Sequence, residues 1–240
     1  MGAFTVIPQD TFDDLQLDAG ILLKNFDPAQ PAVVDADIVC ATTGGISISC
    51  VPTFSDFGED VDNCPNNTKE LKHLDSWECK IGFTALGTSP DMIKMSLGVA
   101  DKSGATYAAS SDTTVNSGKT YYTRSGSGTS ESPYVYTPVA SPTGNPSTSN
   151  YYEMSSPDTK VIPRRDLEQT DFSTLWWVGD KADGGMAAVK LLNALSTSGF
   201  SLKTTKNGKG QVTVEMTGHV SINAQTVVPM EFYSTSGEGA

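Results

Sequence analysis

Histidine is nearly missing from this sequence: only His73 and His219 occur in 240 residues. Serine-type nucleophilic catalysis needs an imidazole beside the hydroxyl and an acid to orient it, and neither histidine sits in a motif. His73 lies in the charged run Lys69-Glu70-Leu71-Lys72-His73, which reads as solvated, and His219 follows Gly218 on an expected strand. No serine stands in a Gly-x-Ser-x-Gly elbow. Gly126-Ser127-Gly128 reads as a flexible turn, while Gly208 and Gly210 begin a Gly-x-Gly spacing that neither a third glycine nor a helix completes. We expect no enzymatic activity and no cofactor.

Basic charge is scarce as well. Sixteen Lys and Arg face twenty-eight Asp and Glu, a net charge of −12, so the positive footprint that grips phosphate backbones is absent. Charged residues amount to 18% of the chain, below the roughly 25% of ordinary domains. Ser, Thr, Gly and Asn must therefore cover much of the surface, as in β proteins. No apolar run approaches the ~18 residues of a membrane-spanning helix, so the sequence predicts a soluble protein. Met1 to Pro8 carries no basic residue and does not resemble an export signal. Val6 stands where a myristoylation motif wants Ser or Thr. A cytoplasmic site of synthesis is the expectation. Cys40, Cys50, Cys64 and Cys79 lack Cys-x-x-Cys spacing, and read as reduced, core-packing thiols. Among Asp56, Glu59, Asp60 and Asp62, no alignment puts glycine at the sixth and glutamate at the twelfth position of a calcium loop. A solvated acidic loop is expected there, with no metal.

What is present is a strand pattern. Ile46, Ile48 and Cys50 alternate with Ser47 and Ser49, and together with Ile38-Val39-Cys40 and the turn at Gly44-Gly45 they predict a hairpin from Ile38 to Val51. Trp77, Cys79, Ile81 and Phe83 alternate likewise, giving one buried face. Ser89 as N-cap, Pro90 at the first position, Asp91 and a terminal Gly98 predict one short helix, docked through Ile93 and Leu97. Met186 to Leu195 is read as a strand despite its helix-forming composition. Phe200 to Thr205 and Gln211 to Ile222 predict a hairpin about Asn207-Gly208, with Val212, Val214, Met216, Val220 and Ile222 on one face, interrupted at Gly218 as at a bulge. Residues 1–35 read as an extended arm, and 234–240 as a flexible tail. Residues 103–157 read as an insertion of irregular or hairpin structure: they lack Leu, Ile, Phe and Trp but hold seven of the eight tyrosines. The fold class expected is mainly β, a single β-sandwich or barrel domain over 1–240 with one short flanking helix and this Ser/Thr/Gly/Tyr-rich insertion.

Several segments, in order, resemble the major tail protein of long-tailed, non-contractile bacteriophages: Ile38-Val39-Cys40-Ala41-Thr42-Thr43-Gly44-Gly45-Ile46, Asp56-Phe57-Gly58-Glu59-Asp60-Val61-Asp62-Asn63, Glu70-Leu71-Lys72, Trp77-Glu78-Cys79-Lys80, Leu175-Trp176-Trp177-Val178-Gly179-Asp180, Gly199-Phe200-Ser201-Leu202 and Gly218-His219-Val220-Ser221. The resemblance implies a tail-tube fold with six copies per ring and rings stacked into a tube. It also implies DNA passing through without specific binding, tape-measure, tail-terminator and distal tail proteins as further partners, and a place in the virion tail after assembly in the host cytoplasm. Candidate subunit or ring contacts are Thr43, Gly44, Gly45, Ile46 and Ile48 on the expected hairpin, and Trp176 and Trp177, which point to opposite faces of a strand. The alternative is a carbohydrate-binding or adhesive β-sandwich that uses the tyrosines of 103–157 as stacking platforms. A metal-assisted hydrolase built on Asp60 and Asp62 is a third class with less in its favour.

Overall fold

The computed structural model describes residues 9–59, 61–129, 132–206 and 208–237. The expectations that rest on 1–8, Asp60, Asn207 and 238–240 lie outside them. The protein is mainly β, with two antiparallel sheets and one α-helix, in two compact units: residues 1–100 with 163–240, and residues 101–162.

Eight strands build the first unit's sheet. They are β1 (Gln16–Leu23), β2 (Thr42–Asp56), β3 (Lys72–Ala85), β8 (Ser173–Lys181), β9 (Met186–Ser196), β10 (Leu202–Lys203), β11 (Gln211–Gly218) and β12 (Met230–Ser234), with β4 (Ala100–Ala109) leaving for the second unit. The sheet runs β1-β8-β9-β11-β3-β2. One edge of β9 is shared, since Ala187–Leu191 pair with β12 and Ala194–Ser196 pair with β11. The sheet divides there into two wings whose inner faces meet in one core. Leu22, Leu175, Leu191 and Met230 come from one wing, and Cys79, Ile81, Phe83, Val214 and Met216 from the other. Burying each large apolar side chain is worth about 1.5–3 kcal/mol.

The alternations read in β3 and β9 are present as strands. The helix α1 (Pro90–Leu97) is capped as its residues dictate: Ser89 Oγ accepts from Met92 N at 3.2 Å, and Gly98 N donates to Lys94 O. Its buried face is different from the one expected. Met92 and Ser96 are buried and Ile93 and Leu97 only half so, because Ser196 Oγ reaches the Ser96 carbonyl at 2.7 Å and turns that side toward β9.

Four further expectations are corrected. Residues 1–35 are not simply an arm, since β1 is a sheet strand. After a register shift between Leu17 and Ile21, the strand's alternation sends consecutive Leu22 and Leu23 to opposite faces and into two different clusters, both fully buried. No hairpin turns at Gly44-Gly45. β2 runs straight through, with Thr43 paired to Thr84 and Ile46 to Phe83, so the two glycines (φ 76° and 84°) bulge out of an otherwise continuous strand. β11 stops at Gly218, where an added Cβ would lie 2.7 Å from Leu191 Cδ1; Val220 and Ile222 leave the buried face, Ile222 being 81% exposed. Finally, β12 extends the sheet near the C-terminus, and Thr235 and Gly237 hydrogen-bond to Met186 and Asp183 rather than trailing as a tail.

The second unit holds a four-stranded sheet in the order β4-β7-β5-β6, with β5 (Tyr121–Ser125), β6 (Val135–Pro138) and β7 (Tyr152–Pro163). Of the irregular or hairpin structure expected there, the hairpin is present, as β5 paired antiparallel to β6. Tyrosines replace the missing aliphatic core on one face: Tyr107 stacks on Tyr136 at 4.0 Å, Tyr122 and Tyr152 meet them edge-on, and Arg124 lies over Tyr134 and Tyr152. A polar network holds the other face. The buried Tyr121 donates to Asp112 at 2.6 Å, and Lys119 bridges Asp112 and Glu153. The Tyr121 hydroxyl first, and Lys119 second, hold the Asp112 carboxyl below its ordinary range, and Lys119 followed by Ser110 does the same for Glu153. Depressed carboxylates contribute stability that is complete above their unfolded values, near 4, and lost as pH falls through the lower folded values. The tyrosine near-UV dichroism of this unit is therefore expected to weaken as pH falls below about 4, and Asp112→Asn to remove part of that acid transition. A spectrum unchanged to pH 2 in the wild type would contradict the network's role.

Candidate assembly surface

β3 has two neighbours only over part of its length. β11 pairs Lys80–Ala85, while β2 continues beside β3 to the Asp56–Lys72 pair. From Cys79 back to Lys72 the two strands form a ribbon that no third strand joins among the described residues. Isolated two-stranded hairpins are marginal in water, so this ribbon invites support from outside.

Its two faces follow from the register, since paired residues and alternate residues share a face. The side that packs Ile46, Ile48 and Cys50 against the core runs on through Pro52, paired with Trp77. Thr53 pairs with Ser76 and Phe54 with Leu74, leaving Asp75 as an extra residue that keeps Leu74 beside Phe54. The core-facing stripe thus continues past the core as Pro52, Phe54, Leu74 and Trp77. Phe54 is 56% and Trp77 37% exposed, and Phe57 at the tip is exposed too, its ring against His73 at 5.8 Å. Trp77, expected to be buried with Cys79, Ile81 and Phe83, is uncovered because the core ends at Cys79.

The loop at the ribbon's tip is held by Asp56. Its carboxylate accepts from Gly58 N and Asn67 N at 2.9 and 3.1 Å and pairs with Lys72 at 3.3 Å. The Gly58 bond is the largest of the effects that lower its pKa, ahead of Lys72 and Asn67. This acid is spent on closing the loop, and among the described residues no three His, Cys, Asp or Glu side chains converge on a point that could hold a metal.

The other face of the β2-β3-β11 wing carries Ser47, Ser49, Thr84, Thr213 and Thr217, with Lys80 between Glu78 and Glu215 at 2.6 and 3.3 Å. Thr43, Gly44, Gly45 and Ser47 border a shallow groove on this wing. The two outer edges are unlike: β2 ends one side of the sheet and β1 the other.

The residues singled out from the sequence fall as follows. Gly44 and Gly45 are exposed on the open edge and Thr43 is half-buried. Ile46 and Ile48 turn inward and pack on the core, so Ile46→Asp would strike the fold as well as any contact. Trp176 is a core residue, 5% exposed, between Phe26 and Tyr233 with Lys190 over its ring. Trp177 is half-buried, and its Nε1 donates to the Ala19 carbonyl at 3.0 Å, tying β8 to the irregular part of β1. Trp176 offers no free surface, and Trp177 only part of one. One exposed apolar stripe sits at Phe54, Leu74 and Trp77. A sequence signal for it existed in two alternating strands running longer than the core they flank.

His73 is exposed, and His219 contacts the Asn193 carbonyl at 3.2 Å with its ring edge-on to Phe172. A cavity of about 400 Å³ beside α1 is walled by Val39, Met92, Met95 and Met216, with Lys24, Lys94 and Asp171 also lining it. Among the described residues no helix is long and apolar enough to cross a membrane. Compared with known proteins, the chain matches no family model, and no curated protein is significantly similar to it.

Proposed function

We propose that this chain is a self-assembling structural protein of the tail-tube type, whose copies close into hexameric rings that stack into the DNA-conducting tail tube of a long-tailed, non-contractile bacteriophage. The observation that carries this is the ribbon of β2 and β3, ordered without a third strand and apolar on the face that continues the core. A second copy is the partner that would complete it.

Two other features support the same reading. Rings require a heterologous contact that closes, and stacking requires a second contact; the edge of β2 and the unlike edge of β1, which residues 37–39 cover at Leu22 and Leu23, together with the ribbon, supply distinct surfaces on one chain. The hydroxyl-rich face of the wing, with Lys80 neutralised by two glutamates, suits a channel wall past which a phosphate backbone slides, since it offers no unpaired cation there. Salt screens the repulsion beyond about 8 Å. Carbohydrate binding draws less support, because Tyr107 and Tyr136 spend their ring faces on each other and Tyr134 and Tyr152 on Arg124.

The test is at the level of the particle. Gold-labelled antibody against the chain is expected to decorate the whole tail shaft, with copy number rising in proportion to shaft length. Label confined to the tail tip or missing from the shaft would overturn the proposal.

A further inference from the structure

We propose that Cys50 and Cys79 form an oxidation site: a cross-strand pair that a peroxide converts to a disulfide, latching the ribbon at its root. This stands apart from the assembly reading, because it rests on the geometry within one chain.

The two cysteines are direct partners in the β2-β3 register, and their sulfurs lie 3.1 Å apart as free thiols. Directly opposed residues in antiparallel strands have Cα atoms about 4.5–5.5 Å apart, inside the range a disulfide spans. Closing the sulfurs to about 2.05 Å therefore asks for about 1 Å of movement, which side-chain rotation supplies without moving either strand. Cys40 and Cys64 lack such a partner among the hydrogen-bonded and register pairs described.

Exposure sets the order of events. Cys50 is half-buried and Cys79 wholly buried, so a small peroxide reaches Cys50 first. The Cys50 thiolate attacks one peroxide oxygen, the O–O bond breaks, and hydroxide leaves, giving a sulfenic acid at Cys50. The Cys79 sulfur then attacks the Cys50 sulfur, the S–O bond breaks, and the departing hydroxide takes the Cys79 proton as water. In sum two thiols and one hydrogen peroxide give one disulfide and two waters. Burial first, and the Cys50 hydrogen bond second, push the Cys79 thiol up to about 12, so Cys79 enters the second step as a thiol, already 3.1 Å from the Cys50 sulfur.

Position gives the bond its effect. Lys80 is the first β3 residue with β11 beside it, so Cys79 stands where the sheet ends and the ribbon begins. A disulfide there closes residues 51–78 into a loop and restricts their unfolded ensemble.

The experiment uses the full wild-type chain, treated with hydrogen peroxide at neutral pH, blocked with N-ethylmaleimide and digested without reductant. Mass spectrometry is expected to find one linked peptide joining Cys50 to Cys79, free thiols falling from four to two, and reversal by dithiothreitol. The oxidised protein should melt about 5 °C or more above the reduced one. In Cys79→Ser, dimedone should trap a sulfenic acid at Cys50. Four thiols surviving, a bond involving Cys40 or Cys64, or disulfide-linked dimers in place of the internal bridge would each overturn the proposal, and so would an unchanged melting temperature in the bridged protein.

Discussion

Exchanging Phe54 and Trp77 together for serine is expected to leave a folded chain that no longer assembles. Both side chains are largely or partly in water and lie beyond the last β11 pairing. Surface changes of this kind usually alter stability by about 0.5 kcal/mol or less. At an interface the same aromatics act as anchors, each worth about 2 kcal/mol or more when buried against a partner. Losing both should weaken self-association by roughly a thousandfold. Sedimentation velocity reads the assembly and urea denaturation reads the fold. A double variant that assembles like wild type would remove the ribbon from the interface, whereas one that fails to fold would place these residues in a core.

The largest expected effect on stability belongs to Asp171→Ala. Arg164 Nη2 reaches both Asp171 carboxylate oxygens, at 2.7 and 2.6 Å, and Arg164 Nη1 pairs with Glu168 at 2.8 Å. The Asp171 side chain is only 2% exposed and also accepts from Glu168 N at 2.8 Å, inside a capping box over the short 3-10 turn Gln169–Asp171. Arg164 N bonds in turn to the Val99 carbonyl, so this clamp fastens the two points where the chain leaves for residues 101–162 and returns. Removing Asp171 takes from Arg164 its buried partner and leaves it the more exposed Glu168, at a cost of about 3 kcal/mol. Lys69→Ala breaks only the exposed pair with Glu70 and should cost about 1 kcal/mol or less. Urea midpoints of the two variants give the comparison, and equal midpoints would contradict the clamp.

The readable parts of this fold were those where a local rule and the tertiary environment agree. In β3 the alternation Cys79, Ile81, Phe83 matches a sheet that is buried on one face only, and at α1 Ser89, Pro90 and Gly98 act through bonds a few residues long. Failures came where one local pattern serves two structures. Gly44-Gly45 with φ above zero suits a tight hairpin and a bulge equally, and the choice fell to β3, a partner thirty-odd residues away. The run Gln16 to Leu23 breaks its alternation at a register shift, so the strand holding two fully buried leucines looked like an arm. Trp176 and Trp177 were legible as residues on opposite faces, but which faces are covered depends on Phe26, Tyr233 and Ala19 from distant segments. The exposed stripe at Phe54, Leu74 and Trp77 went unread for a related reason. An apolar alternation announces burial without saying whether the cover comes from the same chain or another.

Electron microscopy of the purified full-length chain at rising concentration is the most direct check. Hollow tubes built of stacked sixfold rings, absent at the same concentrations for the Phe54, Trp77 double-serine variant, are the expected images. A monodisperse monomer at every concentration, with the stripe at Phe54, Leu74 and Trp77 still protected from solvent labelling, would mean that the chain covers its own ribbon and has no need of a second copy.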